Sequence, residues 1–296
     1  MILLIGATGF LGPPVLKKLL ETGYETSCLI RTDSDRTDLL DTAKSAGKKI
    51  SFSSGTLRSS DSIISVLKKA DSVIYMVDLE HTGLLENFLR AARRAGIKRT
   101  VFIGSTTVLI PQDSRVRSQK INSEKLIAGS ELDYTILRST MIYGSRDDNN
   151  FSKMIRFIKK RGFFVIFGNG NNLIQPIFIE DVADSIIRII DNKKTYGKIY
   201  NIAGRDSLKY RDMLDIVRNK LKKHFRIIKF PLRFSKLLIF IYAKISRNPS
   251  LTPGQIERMG IDKVYSFHEA STDFNFSPVS FEDGIERLIK KLEVKN

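Results

Sequence analysis

Short apolar, β-branched runs alternate with amphipathic stretches through the first half of the chain. Ile2–Ile5, Thr26–Ile30, Ile50–Phe52, Ser72–Val77, Thr100–Gly104 and Tyr134–Arg138 read as strands. Between them, Val15–Thr22, Asp61–Lys69, Leu84–Ala95 and Arg117–Gly129 carry apolar positions at helical spacing. Parallel neighbours in a sheet need crossover connections, so this repetition predicts an α/β fold with a doubly wound parallel sheet. The run from Ser72 to Val77 hardly alternates, as expected of a strand with helices on both faces.

The polar cluster Ser145-Arg-Asp-Asp-Asn-Asn marks a boundary, and a helix is expected from Ser152 to Lys160. The pattern then returns to the sheet: Gln175–Ile179 is strand-like, Asp181 is placed to cap a helix over Val182–Asp191, and Lys198–Ile202 is a further strand. The expected division is therefore residues 1–150 together with 174–204 as the sheet domain. Residues 151–173 and 205–296 form a smaller, mostly helical carboxyl-terminal lobe.

Composition narrows the chemistry. With 296 residues and 42 % hydrophobic content the chain has mass for a real core. Its single cysteine, Cys28, excludes an intramolecular disulfide and multi-cysteine metal sites, and the scattered His81, His224 and His268 argue against a histidine cage, so no metal is expected. A reducing, cytoplasmic location is the simplest reading. There is no signal-peptide pattern at the start, and the run Leu237–Ala243 is far shorter than the roughly 20 residues that cross a bilayer.

The chemistry-bearing motif is Gly6-Ala7-Thr8-Gly9-Phe10-Leu11-Gly12, directly after the first strand and opening a helix. In that context glycines permit a tight turn and close backbone approach to a pyrophosphate, and the helix N-terminus offers N–H groups and a positive dipole end. Gly6, Thr8, Gly9, Phe10, Leu11 and Gly12 are thus the candidate dinucleotide-binding residues of a Rossmann-type sheet.

Further segments extend the match: 91–105 (AARRAGIKRTVFIGS), Thr135-Ile-Leu-Arg with Met141-Ile-Tyr-Gly, Gln175–Ala183, Tyr200–Gly204, Leu251-Thr-Pro-Gly-Gln and Pro278–Ile285. With the glycine turn they resemble the extended and atypical short-chain dehydrogenases/reductases, the NAD-dependent epimerase/dehydratase group. The tail is similar to the relatives of the complex I subunit with a nucleotide-binding fold. The resemblance implies an NAD(P)-binding oxidoreductase or epimerase acting on a small or lipid-like carbonyl or alcohol. It also implies a serine, a tyrosine and a lysine in the site, the last two as Y-x-x-x-K. The serine position is Ser105 and the lysine is Lys120, four residues before Glu124. The tyrosine position is Val116, which has no proton to transfer. Tyr143 is the candidate replacement acid, and Ser105 is read either as a substrate-binding hydroxyl or as a strand-end cap. The alternative to an enzyme is a non-catalytic dinucleotide-binding sensor, assembly factor or membrane-surface partner.

Cofactor choice turns on the end of the second strand, where an acid serves the ribose 2′-hydroxyl of NAD. Arg31 stands there and suits a 2′-phosphate, so NADP(H) is favoured, with Asp33 or Asp35 serving NAD(H) as the alternative.

Charge adds a partner. The net charge is +17, and residues 216–256 contain ten basic residues, no acid and many aromatics. That pattern fits an anionic membrane surface, or equally an apolar face packed on the lobe with solvated charges; nucleic acid is the weaker reading.

Overall fold

Strands β1 (Ile2–Ile5), β2 (Thr26–Ile30) and β4 (Ser72–Tyr75) are buried at every position. Full burial without alternation, on small polar as well as apolar residues, is what a sheet covered on both faces requires. With β3 (Ser51–Ser54), β5 (Arg99–Ser105), β6 (Asp133–Ser139) and β11 (Lys198–Ile202) they form one all-parallel sheet of order β11-β6-β5-β4-β1-β2-β3. The structure is a computed structural model, and it describes residues 1–231 and 260–293. The remainder of the basic run after residue 231 and the Leu251-Thr-Pro-Gly-Gln motif lie outside the described residues.

Two compact units divide the chain. The first comprises residues 1–140, 179–202 and 266–277. In it, helix α1 (Gly12–Glu21) packs against α2 (Thr37–Ser45) and α7 (Ile179–Ile190), while α4 (Thr82–Ala95) packs against α3 (Asp61–Leu67) and α5 (Arg115–Ala128). These two helix sets are the layers that a doubly wound sheet needs. Arg99 ties one layer to the sheet. Buried at the start of β5, it donates to the carbonyls of Ile189 and Ile190 at 2.6 and 2.8 Å, at the carboxyl end of α7. It also donates to the Asp133 carbonyl and the Thr135 hydroxyl, each at 2.8 Å, and lies 4.3 Å from the centre of the Tyr196 ring. A cation at a helix carboxyl end is favourable, but burial brings this guanidinium down to about 10. Helix α9 (His268–Phe274) covers β11: the Tyr200 hydroxyl donates to Asp273 at 2.6 Å and its ring meets Phe274 edge-on at 5.2 Å.

The described residues of the second unit are 141–178, 203–231, 260–265 and 278–293. Its core gathers Tyr143, Phe151, Ile155, Leu214, Phe281 and Leu288 from β7 (Ile142–Tyr143), α6 (Phe151–Arg161), α8 (Tyr210–Leu221) and α10 (Phe281–Glu293). Strands β8 (Phe163–Phe167) and β13 (Arg226–Phe230) pair in parallel across all five residues. Short pairs join β10 (Ile177–Phe178) to β7, and β12 (Leu208–Lys209) to β9 (Leu173–Ile174).

Several expectations are corrected here. Only β11 returns to the large sheet after residue 174, because β10 pairs with β7 in the second unit. Residues 266–277 belong with the sheet, and the break falls at 140 rather than 150. Helix α7 starts at Ile179, so Asp181 lies inside its first turn and is not the cap; an acid there still complements the helix dipole. The second unit also carries a strand pair, β8 with β13, in a lobe expected to be mostly helical.

Candidate functional site

Parallel strands bring their carboxyl ends to one edge, and in this sheet the strand order reverses between β1 and β4. The crevice at such a reversal is where doubly wound sheets take ligands. Gly6 leaves β1 there with φ +85°, a left-handed conformation that glycine adopts without strain. A Cβ on Gly6 would sit 3.1 Å from the Met76 backbone just after β4. A Cβ on Gly12 would lie 1.6 Å from the Ala7 carbonyl, so the helix can begin this close to the strand only with glycine at that position. Gly9 differs: its added Cβ would meet only the Gly6 carbonyl at 3.3 Å and would otherwise enter open space.

The anion-binding donors are fewer than a helix start ordinarily offers. The Gly12 N–H is taken by the Gly9 carbonyl at 2.9 Å, and Pro13 and Pro14 in the first turn have no N–H. The turn itself supplies the rest: among the described residues no carbonyl accepts from the N–H of Phe10 or Leu11. Thr8, Gly9 and Phe10 are exposed, while Ala7 and Leu11 are buried and hold the turn in place.

Arg31 follows β2 with its side chain 68 % exposed and its Nε 3.9 Å from the Asp33 carboxylate. Asp35 is committed elsewhere: it accepts from the Thr37 N–H at 2.9 Å and the Thr37 hydroxyl at 2.7 Å, bonds that hold its carboxyl below the usual range. After β3, the Thr56 N–H donates to Ser62 Oγ at 3.1 Å and its carbonyl accepts from that hydroxyl at 2.7 Å.

Lys120 on α5 is buried, and its ammonium donates to Asp78 in the loop after β4. Asp78 Oδ1 also accepts from the Glu80 N–H at 2.9 Å. Four residues before Lys120, Val116 lies exposed in the first turn of α5. Ser105 ends β5 and caps the short 3₁₀ turn Thr106–Leu109, its Oγ accepting from the Thr107 N–H at 3.2 Å and lying 2.9 Å from Thr107 Oγ1. Of the two roles considered for this serine, capping is the one visible. Glu124, the residue that locates Lys120 by spacing, receives Arg138 in a two-pronged pair at 2.9 and 2.6 Å.

Tyr143 belongs to the second unit, where its ring packs on Phe151, Phe178 and Phe281 and its hydroxyl is 3.4 Å from the Phe281 carbonyl. A Cβ on Gly284 would approach that hydroxyl to 2.1 Å, so the phenol is wedged against a glycine in a helix. The expectation of a replacement acid is corrected: this is a core aromatic.

Sequence reasoning missed Asp78, a lone acid after an apolar strand whose partner is 42 residues away. It also missed Thr140 and Asn201, whose buried side-chain oxygens at the carboxyl ends of β6 and β11 have no hydrogen-bond partner among the described residues. Among the described residues no group of three or more His, Cys, Asp or Glu could hold a metal ion, and no helix is long and apolar enough to cross a membrane.

The family model described as NAD dependent epimerase/dehydratase matches residues 2–203, more than half of the chain. The chain belongs to that family. The chain is also similar to two curated proteins. The NADH dehydrogenase (ubiquinone) 1 alpha subcomplex subunit 9, mitochondrial, of Arabidopsis thaliana is 25 % identical over 79 % of this chain and 61 % of its own length. A phenylcoumaran benzylic ether reductase of Ginkgo biloba is 26 % identical over 78 % of each. In fold, the chain is similar to a UDP-glucuronic acid 4-epimerase from Bacillus cereus solved with NAD, at a TM-score of 0.76 and 18 % identity over 99 % of both chains. This chain spans about three-fifths of the Arabidopsis subunit.

Proposed function

We propose that the protein is an NAD(P)-binding oxidoreductase of reductase type, with NADP(H) preferred, acting on a small or lipid-like carbonyl or alcohol. The observation that carries this is the cradle from Gly6 to Gly12. It has an open position at Gly9 and two uncommitted N–H groups, Phe10 and Leu11, at the crevice between β1 and β4. These residues would hold a pyrophosphate, and Arg31 would meet a 2′-phosphate. When bound, a nicotinamide supplies or accepts the hydride.

Lys120 is the ionisable side chain left for the proton or for the ribose hydroxyls, since position 116 is valine, Ser105 caps a turn and Tyr143 is a core ring. Asp78 holds the lysine in place, and its own exposed oxygen keeps the pair in reach of solvent. The Ginkgo relative's name, a reductase, supports the reading.

Calorimetric titration of nucleotide-stripped protein with NADPH, NADH and their oxidised forms tests it. Tighter binding of the phosphorylated pair is expected, followed by NADPH consumption on a panel of aldehydes and ketones. Binding of none of the four overturns the reading.

A second reading has its own observation. Val116 leaves the position without an acid, and the Arabidopsis relative is named as a subunit of a larger dehydrogenase. On that reading the chain binds the dinucleotide without turning it over. Tight binding with no NADPH consumption on any substrate selects it.

A further inference from the structure

In the second unit, the paired strands β8 and β13 have one face turned to the core: Phe164, Ile166 and Ile227 pack there with Phe225. Side chains alternate along a strand, so Phe163, Val165 and Phe167 of β8 lie on the other face. In register opposite them are Arg226, Ile228 and Phe230. Five of these six outward side chains are apolar, and Ile228 is 45 % exposed. Phe157 of α6, 40 % exposed, extends the surface, its ring edge-on to Phe163 at 5.5 Å.

Cations surround this face. Lys153, Lys160 and Arg161 stand four residues before and three and four after Phe157, and so share its side of α6. All three are exposed, as are Arg226 at the start of β13 and Lys222 at the end of α8, and none of the five has an ion-pair partner among the described residues. Elsewhere in the unit, half-buried basic residues do pair, Lys220 with Glu282 and Glu286, Arg218 with Asp215.

We propose that this face, with Phe157, Phe163, Ile228 and Phe230 at its centre and Lys153, Lys160, Arg161 and Arg226 at its border, docks on an anionic lipid surface. Two properties select lipid over a macromolecular partner with fixed acceptors. The border consists of long, unpaired side chains that can follow mobile headgroups, and the centre is aromatic and aliphatic without a polar group to orient a partner. Rings enter the boundary between headgroups and acyl chains while the cations remain with the phosphates. The assignment rests on described residues alone and is independent of the dinucleotide reading.

The test is flotation of the full chain with phosphatidylcholine vesicles, with and without phosphatidylserine, at low and high salt. Binding is expected only to the anionic vesicles and is expected to fall with salt. The double variant Lys160→Glu/Arg161→Glu should reduce partitioning at least about tenfold, and Phe157→Glu/Ile228→Glu should do the same with an unchanged melting temperature. The chain contains no tryptophan, so Phe157→Trp supplies a unique fluorophore whose emission should shift to the blue on anionic vesicles alone. The proposal is overturned if the wild type ignores anionic vesicles, if both double variants bind like the wild type, if the tryptophan emission does not move, or if duplex DNA displaces the vesicles and gives the same blue shift, which would assign the face to nucleic acid.

Discussion

Lys120 donates to Asp78 across a boundary in solvation: the lysine side chain is 10 % exposed and the aspartate 49 %. The two partners are therefore unequal. Removing Asp78 strands a buried ammonium, whereas removing the ammonium leaves a carboxylate that water can satisfy. Asp78→Ala should destabilise by about 1–3 kcal/mol, and Lys120→Met by less than about 1 kcal/mol. Urea unfolding of both variants checks the asymmetry. If the ammonium holds the ribose, Lys120→Met also weakens dinucleotide binding while Lys120→Arg restores part of it, which a purely structural lysine would not do.

The glycine turn separates folding from binding. Gly12→Ala places a methyl group on the Ala7 carbonyl and should destabilise by several kcal/mol, on the order of 3 or more. Gly9→Ala meets only the Gly6 carbonyl, so the melting temperature should hardly move while dinucleotide affinity falls at least about tenfold. Differential scanning fluorimetry and calorimetry on the same two proteins decide this.

Arg31→Asp should weaken NADPH much more than NADH and bring the two affinities together or invert them. The guanidinium is in solvent with only a loose neighbour in Asp33, so stability should change by no more than about 0.5 kcal/mol. Equal losses for both cofactors would remove Arg31 from the 2′-phosphate role.

Cys28 gives a pH signature. Burial on β2 pushes its thiol up to about 12 from an ordinary value near 9. The unfolded chain therefore releases this proton first as pH rises, and the fold loses stability through the window from 9 to 12 with a slope of up to about 1.4 kcal/mol per pH unit from this group. Below pH 9 the thiol contributes no pH dependence. Cys28→Ala should flatten the alkaline limb of the stability curve by that amount, measured as the difference from wild type in urea melts. The native thiol should also stay inert to Ellman's reagent at neutral pH until the protein unfolds.

How much of this could be read from residues alone depends on distance along the chain. Strands β1 and β2 are legible to the residue because a short apolar run with its small flanking residues is local information. Helix α2 was not, since only Leu39 and Ala43 are buried in it and its periodicity is faint. The β8–β13 pair joins segments about sixty residues apart, and no local pattern announces which strand a lone apolar run will choose. The same holds at the site. Gly6, Gly9 and Gly12 carry their geometry in their spacing, whereas Asp78 acquires meaning only when Lys120 is brought to it. Tyr143 shows the converse: its motif looks chemical, and Gly284, 141 residues away, makes it a packing residue.

The order in which the sheet unit's pieces occur has a consequence for synthesis. Strand β11, and the Ile189, Ile190 and Thr195 carbonyls that accept from Arg99 and Thr135, come only after residue 179, and the Asp273–Phe274 cover over Tyr200 comes later still. A ribosome adding about 5–20 residues per second exposes the bare flank of β11 for several seconds before its cover is made. A nascent chain stalled between residues 202 and 266 should therefore hold a nearly finished sheet with one sticky margin, the stage at which chaperones would find most to grip.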